Sequence, residues 1–366
     1  MKIAFLGDIA LIGKYDLTKN SNVKSRLKKI SQKLKEYDYV IANLESPLTN
    51  KDKTLTCKSM HLRSPIVNVE LLKYLGIDSV SLANNHIYDY GRQGIEDTIK
   101  NLEEYNIEWF GANSKFITKE INNNKISISG FVCYSTNAVS YNRDNQHRGV
   151  NLLSYNNLIE QLEKDEKNNS LSVMSFHWGD EHTNYPKYEH IKLAEKLAKM
   201  KNIIIAGHHP HVVQGVQKYK SSLVSYSLGN FLFDDVKTIN NSFELKQTKR
   251  NKKSFILEVE IKNNQIVNYD YIGFKDKKYG IDFFNINNEI KKISNGLENI
   301  KSKKKYEKKR NIQIKQSLEK KFGKRDLSWL KSRLNYYSVG AFILGKWRKI
   351  EYEKEKIKFL DGVKDE

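Results

Sequence analysis

The sequence has few cysteines and no long apolar run, and both absences limit what the protein can be. Its two cysteines, Cys57 and Cys133, cannot form a disulfide framework, so we expect a reducing compartment. No stretch approaches the roughly 18–20 consecutive apolar residues of a membrane-spanning helix. The chain starts directly with a strand-like segment and lacks the pattern of a signal peptide. We therefore expect a cytoplasmic protein, with peripheral attachment at the inner face of the membrane as a further option.

The composition that is present is ordinary for a globular protein, but its charge is not evenly spread. The 366 residues, 39% hydrophobic and 11% aromatic, can bury a sizeable core and leave room for an appendage. Residues 301–366 contain 21 Lys/Arg against 9 Asp/Glu, a surplus of 12 within the total net charge of +20. The tail is therefore the part that we expect to face an anionic partner.

Strand-like and helix-like segments alternate along most of the chain. Apolar runs of strand length lie at 2–6, 39–42, 79–83, 125–133, 171–176 and 203–206, and segments of helical periodicity lie at 23–37, 67–75, 91–105, 157–164 and 188–200. This alternation predicts a parallel α/β core. Residues 254–261 and 266–273 are typical of an antiparallel hairpin, and beyond about residue 282 the sequence becomes charged and helical. We divide the chain into an α/β domain, residues 1–282, and a Lys-rich helical C-terminal extension, residues 283–366.

The segment 203–214 is the centre of the predicted site. A short apolar strand breaks at Gly207 and is followed at once by His208, His209 and His211. Side chains at i and i+2 of an extended segment project to the same side, so His209 and His211 are expected to converge. A satisfied structural cluster is the alternative, but imidazoles after a buried strand need polar partners or a cation. The segment therefore favours metal ligation.

Five predicted strands end in residues that bind cations, and the carboxyl ends of strands in an open α/β sheet share one edge. The residues are Asp8, Glu45, Asn85 with His86, His177, and His209 with His211. Each has an ordinary alternative, such as a helix cap for Asp8 or a left-handed turn for Asn85. Imidazole, amide and carboxylate ligands without thiolate suit Mn²⁺, Fe or Zn²⁺ better than Ca²⁺ or Mg²⁺. The coincidence of five strand ends predicts a transition-metal site.

Six stretches, in order, resemble the signatures of a known family. They are Gly7-Asp8, Asn43-Leu-Glu-Ser-Pro-Leu-Thr49, Leu82-Ala-Asn-Asn-His86 with Asp89-Tyr-Gly91, His177-Trp-Gly179 with Glu181, Gly207-His-His-Pro-His-Val-Val-Gln214, and Ser227-Leu-Gly-Asn-Phe231. Together they resemble the poly-γ-glutamate capsule-synthesis protein family (CapA-type), which looks like a divergent branch of the calcineurin-like metallophosphoesterases. The resemblance covers about residues 2–234 and implies a four-layer α/β/β/α sandwich with a metal centre at one edge. The tail after about residue 282 carries no such resemblance.

The resemblance also implies a role for each residue at the strand ends. One metal ion would be held by Asp8 and His211, and a second by Asn85, His177 and His209, with Glu45 between them. His86 would take the place of the general acid beside the leaving group. Two positions depart from the superfamily, because Ala10 stands where its Asp-x-His motif has histidine and Glu45 replaces its bridging aspartate. We therefore expect one or two ions.

Further residues near these motifs are candidates for substrate binding or for support of the ligands. They are Arg63, Asp89, Glu181, His208 and Asn230. Arg63 would reach an anionic substrate or form a surface salt bridge, and Asp89 would contact substrate or start a helix. Glu181 would hold the tautomer of His177 or lie in an exposed loop. His208 is expected to point away from the ligand pair as a supporting residue, and Asn230 to line the pocket wall.

The sequence of the C-terminal extension fits several possible binding partners. Its charged run 301–310 is by default a solvated helix face, whereas between 329 and 349 aromatic and aliphatic residues interleave with Lys and Arg. Such interleaving fits an anionic inner-membrane surface or an envelope-assembly complex, and docking on the core domain is equally open. Nucleic acid is not expected, because no recognition motif is present. Gly340 and Gly345 weaken a single continuous helix through this segment.

These observations predict a metal-dependent hydrolase or transferase-type enzyme in the synthesis or processing of a cell-surface polymer. Its substrate would be an anionic γ-glutamyl amide or a phosphorylated intermediate. Two alternatives stay open: a plain metal-dependent phosphomonoesterase or phosphodiesterase, and a non-catalytic scaffold of a capsule-assembly complex. The scaffold is favoured by Ala10 and by the long basic tail. The ligands alone do not decide, because one metal site can hydrolyse a phosphate ester or an amide.

Overall fold

The computed structural model describes residues 1–54, 56–58, 60–136, 149–238, 244–277, 280–298, 300–322, 327–332 and 334–361. The strands are β1 (Lys2–Ile9), β2 (Tyr39–Leu44), β3 (Ser79–Ser81), β4 (Glu108–Phe110), β5 (Ile117–Ile121), β6 (Asn124–Val132), β7 (Leu171–His177), β8 (Ile203–His208), β9 (Val216–Tyr219), β10 (Ser222–Ser225), β11 (Asn230–Leu232), β12 (Val236–Lys237), β13 (Glu244–Leu245), β14 (Lys253–Lys262), β15 (Gln265–Lys277) and β16 (Gly280–Phe284). The helices are α1 (Val23–Leu34), α2 (Val69–Leu75), α3 (Gly91–Glu104), α4 (Tyr155–Lys167), α5 (Tyr188–Met200), α6 (Asn287–Glu298), α7 (Lys303–Phe322), α8 (Leu327–Ser332) and α9 (Tyr336–Asp361).

Two large sheets carry the fold. The first has the order β16-β15-β14-β1-β2-β3-β4, with β11 as a further partner of β1, and the second has the order β5-β6-β7-β8-β10-β9. Strands β1 to β4 pair in parallel, as strands connected through helices usually do. Strands β6, β7, β8 and β10 are likewise parallel. The predicted antiparallel hairpin is β14 with β15, and it extends the first sheet beyond β1.

The hydrophobic core lies between the sheets and on their outer faces. Phe5 and Ile41 of the first sheet pack in one cluster with Ile128, Val173 and Ile204 of the second. A second cluster joins the first sheet to helices α1, α2 and α3, and a third joins the second sheet to α4 and α5. The predicted α/β class is therefore confirmed. Helices on the outer face of each sheet are what a four-layer sandwich requires, and that layer count stays a prediction.

The chain after the hairpin is more ordered than its charged sequence suggests. Residue 282, where the sequence indicated a boundary, lies inside β16, which pairs with β15 and extends the first sheet to Phe284. Four helices, α6 to α9, then follow among the described residues. Helix α9 runs without interruption through Gly340 and Gly345, so the expected weakening does not break it. Among the described residues, no helix is both long enough and apolar enough to span a membrane.

Gly340 is where α9 comes closest to the body of the protein. A methyl group built on Gly340 would lie 2.7 Å from the sulfur of Cys57, whereas one built on Gly345 meets no atom within 4 Å. Tyr337 donates a hydrogen bond to the carbonyl of Thr54 (3.1 Å) in the same loop as Cys57. The missing side chain at Gly340 therefore lets the helix lie directly on this loop.

The two glycines form a matched pair for testing this packing. Gly345→Ala is expected to stabilise the protein by about 1 kcal/mol, because alanine is the better helix former and the site is open. Gly340→Ala gains the same propensity but forces Cys57 to move, so we expect a net loss of about 1 kcal/mol. Denaturant unfolding of both variants measures the difference, and equal stabilisation would contradict the close contact.

Candidate metal centre

The carboxyl ends of β1, β2, β7 and β8 meet at one edge of the molecule. Asp8 is the register partner of Asn43 on one side and of Asn230 on the other. In the second sheet His177 is the register partner of His208. The two sheets meet here, since Nδ1 of His208 lies 3.1 Å from Oδ1 of Asp8. The strand ends that the sequence predicted to converge are thus together.

Gly7 allows the close approach that places Asp8. A Cβ atom on Gly7 would overlap the backbone of Gly229, which precedes β11. The backbone N–H of Asp8 donates to the carbonyl of Gly229 at 3.0 Å. Only glycine at position 7 lets β11 pair here with β1 and bring Asn230 beside the site.

Asp8 is fully buried and surrounded by donors. It accepts hydrogen bonds from Nδ2 of Asn43 (2.9 Å) and from the backbone N–H of His209 (3.2 Å). Nδ1 of His211 lies 3.5 Å from its second oxygen. Burial alone would raise the pKa of Asp8, but the hydrogen bond and charge of His208, then the charge of His211, hold it below its usual value. Asp8 is therefore an ionised anchor of the site.

The histidines converge through backbone conformations that the sequence did not predict. Strand β8 continues to His208, and His209 and His211 then adopt positive φ values of 93° and 55°. The extended i, i+2 geometry assumed from the sequence was therefore wrong. The rings still face a common space, with centroids 5.9 Å apart for His209 and His211 and 4.8 Å apart for His177 and His209. Residues other than glycine rarely adopt positive φ, because it costs conformational free energy, and functional sites commonly contain such strained residues.

Asn230 orients the imidazole of His211. Its Oδ1 lies 2.9 Å from Nδ1 of that ring, so Nδ1 carries the proton and donates. The other ring nitrogen, Nε2, then offers its lone pair, and it lies 3.7 Å from Oε1 of Glu45. Asn230 therefore fixes the orientation of the His211 ring, in addition to lining the pocket.

Glu45 is a buried carboxylate without the usual partners. It is 0% exposed, and among the described residues neither of its carboxylate oxygens has a hydrogen-bond partner, and neither does Nδ1 of His209. Burial, followed by the charge of Asp8, raises the pKa of Glu45 well above its usual value. One ligand atom each from Glu45, His209 and His211 lies within 4.8 Å of the others. A divalent cation in this space would satisfy all of these atoms at once, so the residues present fit a metal ion.

Position 10, two residues after Asp8, offers no ligand to the site. Ala10 is fully buried and packs with Leu62, Phe233 and Val236 in a small apolar cluster. Its backbone N–H donates to Leu232 at 2.7 Å. An apolar environment therefore surrounds position 10, and Asp8 is the residue with possible ligand atoms at this end of β1.

Asn85 approaches the site through His177. Its Oδ1 lies 2.8 Å from Nε2 of His177, whose own distance to Oε1 of Glu45 is 3.9 Å. The preceding Asn84 fixes the turn, because its side chain accepts from the N–H of His86 (3.1 Å) and donates to the carbonyl of Leu44 (2.8 Å). The Asn-Asn-His segment is thereby fastened to the end of β2.

His86 belongs to a buried charge network that includes a residue not predicted from the sequence. Its Nδ1 lies 2.6 Å from Asp89, and Lys58 pairs with the other oxygen of Asp89 at 2.6 Å. Lys58 also donates to the carbonyl of Asn85 at 2.5 Å. Burial opposes ionisation of Asp89, but the charges of Lys58 and His86 lower its pKa to about 2. Burial and then Lys58 lower the pKa of His86.

Lys58→Met is expected to destabilise the protein by roughly 3–5 kcal/mol, because it leaves Asp89 charged and buried without its cation. The double variant Lys58→Met/Asp89→Asn should recover part of this loss, since the unpaired charge is then gone. The control is Lys19→Met, whose lysine pairs with Asp16 but is 70% exposed, so we expect less than about 1 kcal/mol. Urea unfolding of the wild type, these three variants and the single variant Asp89→Asn tests this; strictly additive losses in the double variant would contradict the pairing.

Three of the supporting candidates make contacts that the sequence did not predict. His208 points toward Asp8 rather than away from the ligands, as the 3.1 Å contact shows. Glu181 pairs with His182 at 3.0 Å, whereas the ring nitrogens of His177 contact Asn85 and Asn43. Arg63 donates to the carbonyl of Lys51 at 2.9 Å, so it braces its own loop. Of the two alternatives for Glu181, the exposed loop is the one that fits, since its side chain is 43% exposed.

Asn43 and Lys58 are the site residues that were missed. Asn43 lies two positions before Glu45, and strand alternation could have pointed to it as a neighbour of the ligands. Its Nδ2 reaches both Asp8 and, at 3.5 Å, Nδ1 of His177. Lys58 lies in a loop without periodicity, and no local pattern distinguishes it from the chain's other lysines.

An α/β protein with buried carboxylate, imidazole and amide donors at its strand ends is, by its site, a candidate metalloprotein. The chain matches the model of the family described as "Bacterial capsule synthesis protein PGA_cap" over residues 2–235. It therefore belongs to this bacterial capsule synthesis protein family, as the motifs predicted.

The relatives that the chain resembles carry matching names. It is 34% identical over 219 residues to the capsule biosynthesis protein CapA of Bacillus anthracis, covering 56% of this chain and 53% of that protein. It is 30% identical over 244 residues to the PGA biosynthesis protein CapA of Bacillus subtilis, covering 64% of this chain and 63% of that protein. The matches thus span between one half and two thirds of the length of these relatives.

Solved structures with a similar chain path include a calcineurin-like phosphoesterase, YfkN from Bacillus subtilis. Its TM-score is 0.39 at 12% identity, over 83% of this chain and 96% of that chain. The sulfate thiohydrolase SoxB from Thermus thermophilus has a TM-score of 0.39 at 9% identity, over 75% of this chain and 44% of that chain.

Proposed function

We propose that the protein is a metal-dependent hydrolase or transferase-type enzyme in the synthesis or processing of a poly-γ-glutamate-like cell-surface polymer. Its substrate would be an anionic γ-glutamyl amide or a phosphorylated intermediate of that polymer. The family and the names of the relatives support the polymer. The observation that carries the chemistry is Glu45, a buried carboxylate that faces imidazoles and has no hydrogen-bond partner in the part of the chain that the structure describes.

The ion would be held by Glu45, His209 and His211, with Asp8, Asn85 and His177 close enough to complete one or two coordination spheres. Mn²⁺, Fe or Zn²⁺ suits this donor set. The chemistry that such an ion supplies is Lewis-acid polarisation of a phosphoryl or acyl oxygen. His208 and Asn43 would hold Asp8 in place through the hydrogen bonds described above.

His86 would supply the proton to the leaving group. The carboxylate of Asp89 accepts from Nδ1 of His86, because the neighbouring ammonium of Lys58 offers only donors. The acid form would be the imidazolium, with one proton on Nδ1 held by Asp89 and the transferred proton on Nε2. Burial and the charge of Lys58 lower the pKa of His86, so this form is populated at lower pH than it is for a free imidazole.

Activity of the purified full chain tests this proposal against the alternatives. The protein is stripped with a chelator, reloaded with Mn²⁺, Fe²⁺ or Zn²⁺, and given poly-γ-glutamate, a γ-glutamyl anilide, an aryl phosphate and a diaryl phosphate. We expect metal-dependent turnover of the γ-glutamyl substrates or of a phosphorylated glutamyl compound. Turnover of the simple phosphate esters alone supports a plain phosphoesterase. Less than about a tenth of an equivalent of bound metal, with no turnover, supports a scaffold.

A further inference from the structure

Helix α9 is docked on the body of the protein along one face. Tyr337 bonds to Thr54 and its ring lies 5.4 Å from that of His61, edge to face. Further along, the hydroxyl of Tyr352 donates to Glu189 at 2.5 Å and accepts from Lys187 at 3.3 Å. These contacts and the close approach at Gly340 fix the helix against the loop that carries Lys58 and against the start of α5.

The opposite face of α9 is apolar and exposed. Five large residues at helical spacing form this face, and we name them the apolar stripe: Val339, Phe342, Ile343, Trp347 and Ile350, which are between 46% and 65% exposed. Leu327, Leu330 and Leu334 precede the stripe and are 77%, 53% and 73% exposed. Nine of the fourteen exposed large hydrophobic residues among those described thus lie between 327 and 350. This concentration sets the surface apart from scattered surface residues.

Positive charge flanks the apolar stripe. Lys346 and Lys349 are exposed on the same side of the helix, and Nζ of Lys346 lies 4.8 Å from the ring centre of Phe342. The tail from residue 301 carries the surplus of 12 positive charges. A second copy of the chain would bring an equally basic surface against this one, and a purely polar polyanion would leave the stripe uncovered. An anionic lipid surface offers both negative headgroups and an apolar interior.

We propose that the apolar stripe of α9 docks the protein on a membrane surface that contains anionic lipids. The apolar side chains would enter the headgroup boundary while Lys346 and Lys349 contact the lipid phosphates. Since one face of α9 is bound to the body, the helix would lie along the surface rather than cross it. The loop that holds Lys58 and the metal centre behind it would then be held beside the membrane.

Flotation of the full chain with lipid vesicles tests this docking. Two kinds of vesicle are compared: phosphatidylcholine with about 30 mol% phosphatidylglycerol, and phosphatidylcholine alone. The phosphatidylglycerol gives the first kind a negative surface potential like that of an anionic membrane. We expect partitioning at least roughly tenfold stronger on the anionic vesicles, and weaker binding at high salt. The double variant Phe342→Glu/Ile343→Glu should lose roughly tenfold or more, because both side chains leave the apolar boundary.

Two further variants separate docking from general effects. Met200→Glu/Val267→Glu places the same charges on residues that are 52% and 55% exposed elsewhere, and it should bind like the wild type. Lys346→Glu/Lys349→Glu leaves the stripe intact and should lose only the preference for anionic lipid. Unchanged circular dichroism and thermal unfolding show that each variant is folded. Equal binding of the wild type and the stripe variant would overturn the proposal. So would a wild-type dimer in solution that the stripe variant abolishes, or binding to poly-γ-glutamate through α9 without any vesicle binding.

Discussion

Glu45→Gln is expected to abolish stoichiometric metal binding while making the metal-free protein more stable. The glutamine keeps the shape of the side chain but removes the anionic ligand, so metal affinity should fall by about 100-fold or more. In the metal-free protein Glu45 is buried with no hydrogen-bond partner among the residues that the structure describes, and removing its charge should stabilise the fold by about 1–3 kcal/mol. Calorimetric titration with Mn²⁺ or Zn²⁺ and unfolding in the presence of a chelator measure the two effects.

Glu258→Gln is the matched control for this substitution. Glu258 is also largely buried, at 8% exposed, but it accepts from the hydroxyl of Tyr37 at 2.5 Å and pairs with Lys2 at 3.0 Å. Its neutralisation should therefore cost stability and leave metal binding unchanged. A Glu45→Gln protein that binds metal like the wild type, or that is less stable without metal, would show that Glu45 is not held for a cation.

His86→Ala is expected to lower kcat by about 10²–10⁴-fold while metal content stays at the wild-type level. The reason is that His86 would protonate the leaving group and is not among the donors that surround Glu45. The loss should be large for a substrate with a poor leaving group, such as an alkyl amide or ester. It should be small for a nitrophenyl or nitroanilide substrate, whose leaving group needs less help from a proton.

Asp89→Asn distinguishes the chemical role of His86 from a structural one. It retains the shape of the side chain that contacts Nδ1 of His86 but removes the charge that fixes the tautomer. We expect a smaller loss in kcat than for His86→Ala, with the same dependence on the leaving group. If both variants lose activity equally on all substrates, or lose their metal, His86 does not act as the acid.

The sequence predicted the fold class and the location of the site because both depend on repeated, local patterns. Apolar runs that alternate with helical periodicity place strands in parallel, and the polar residues after each run must then meet at one edge. Asp8, Glu45 and His177 were found in this way. By contrast, β16 is short and partly exposed, with Asp282 in its centre, so its pairing with β15 left no apolar pattern to detect.

The geometry inside the site was less predictable, and the reasons are physical. His209 and His211 converge through two positive φ values that histidine rarely adopts. The assumption of an extended strand therefore predicted the correct neighbours, although the backbone conformation that it assumed was wrong. Lys58 enters through a loop, and its partner Asp89 is 31 positions away. Contacts of this kind depend on tertiary packing, which periodicity does not encode. The side chain of His208 was predicted to point away from the ligands, which is wrong. Its direction depends on how the second sheet approaches Asp8, and the local sequence does not indicate that approach.

The central claim is that chain segments far apart in sequence hold a common cation. Anomalous diffraction from a crystal soaked in Mn²⁺ tests it most directly, because the peak locates the ion independently of activity. We expect a strong peak bounded by the carboxylate of Glu45 and the imidazoles of His209 and His211, within coordination distance of Asp8 or His177. A crystal without a peak at this position under saturating metal, or with the ion bound only elsewhere, would contradict the claim.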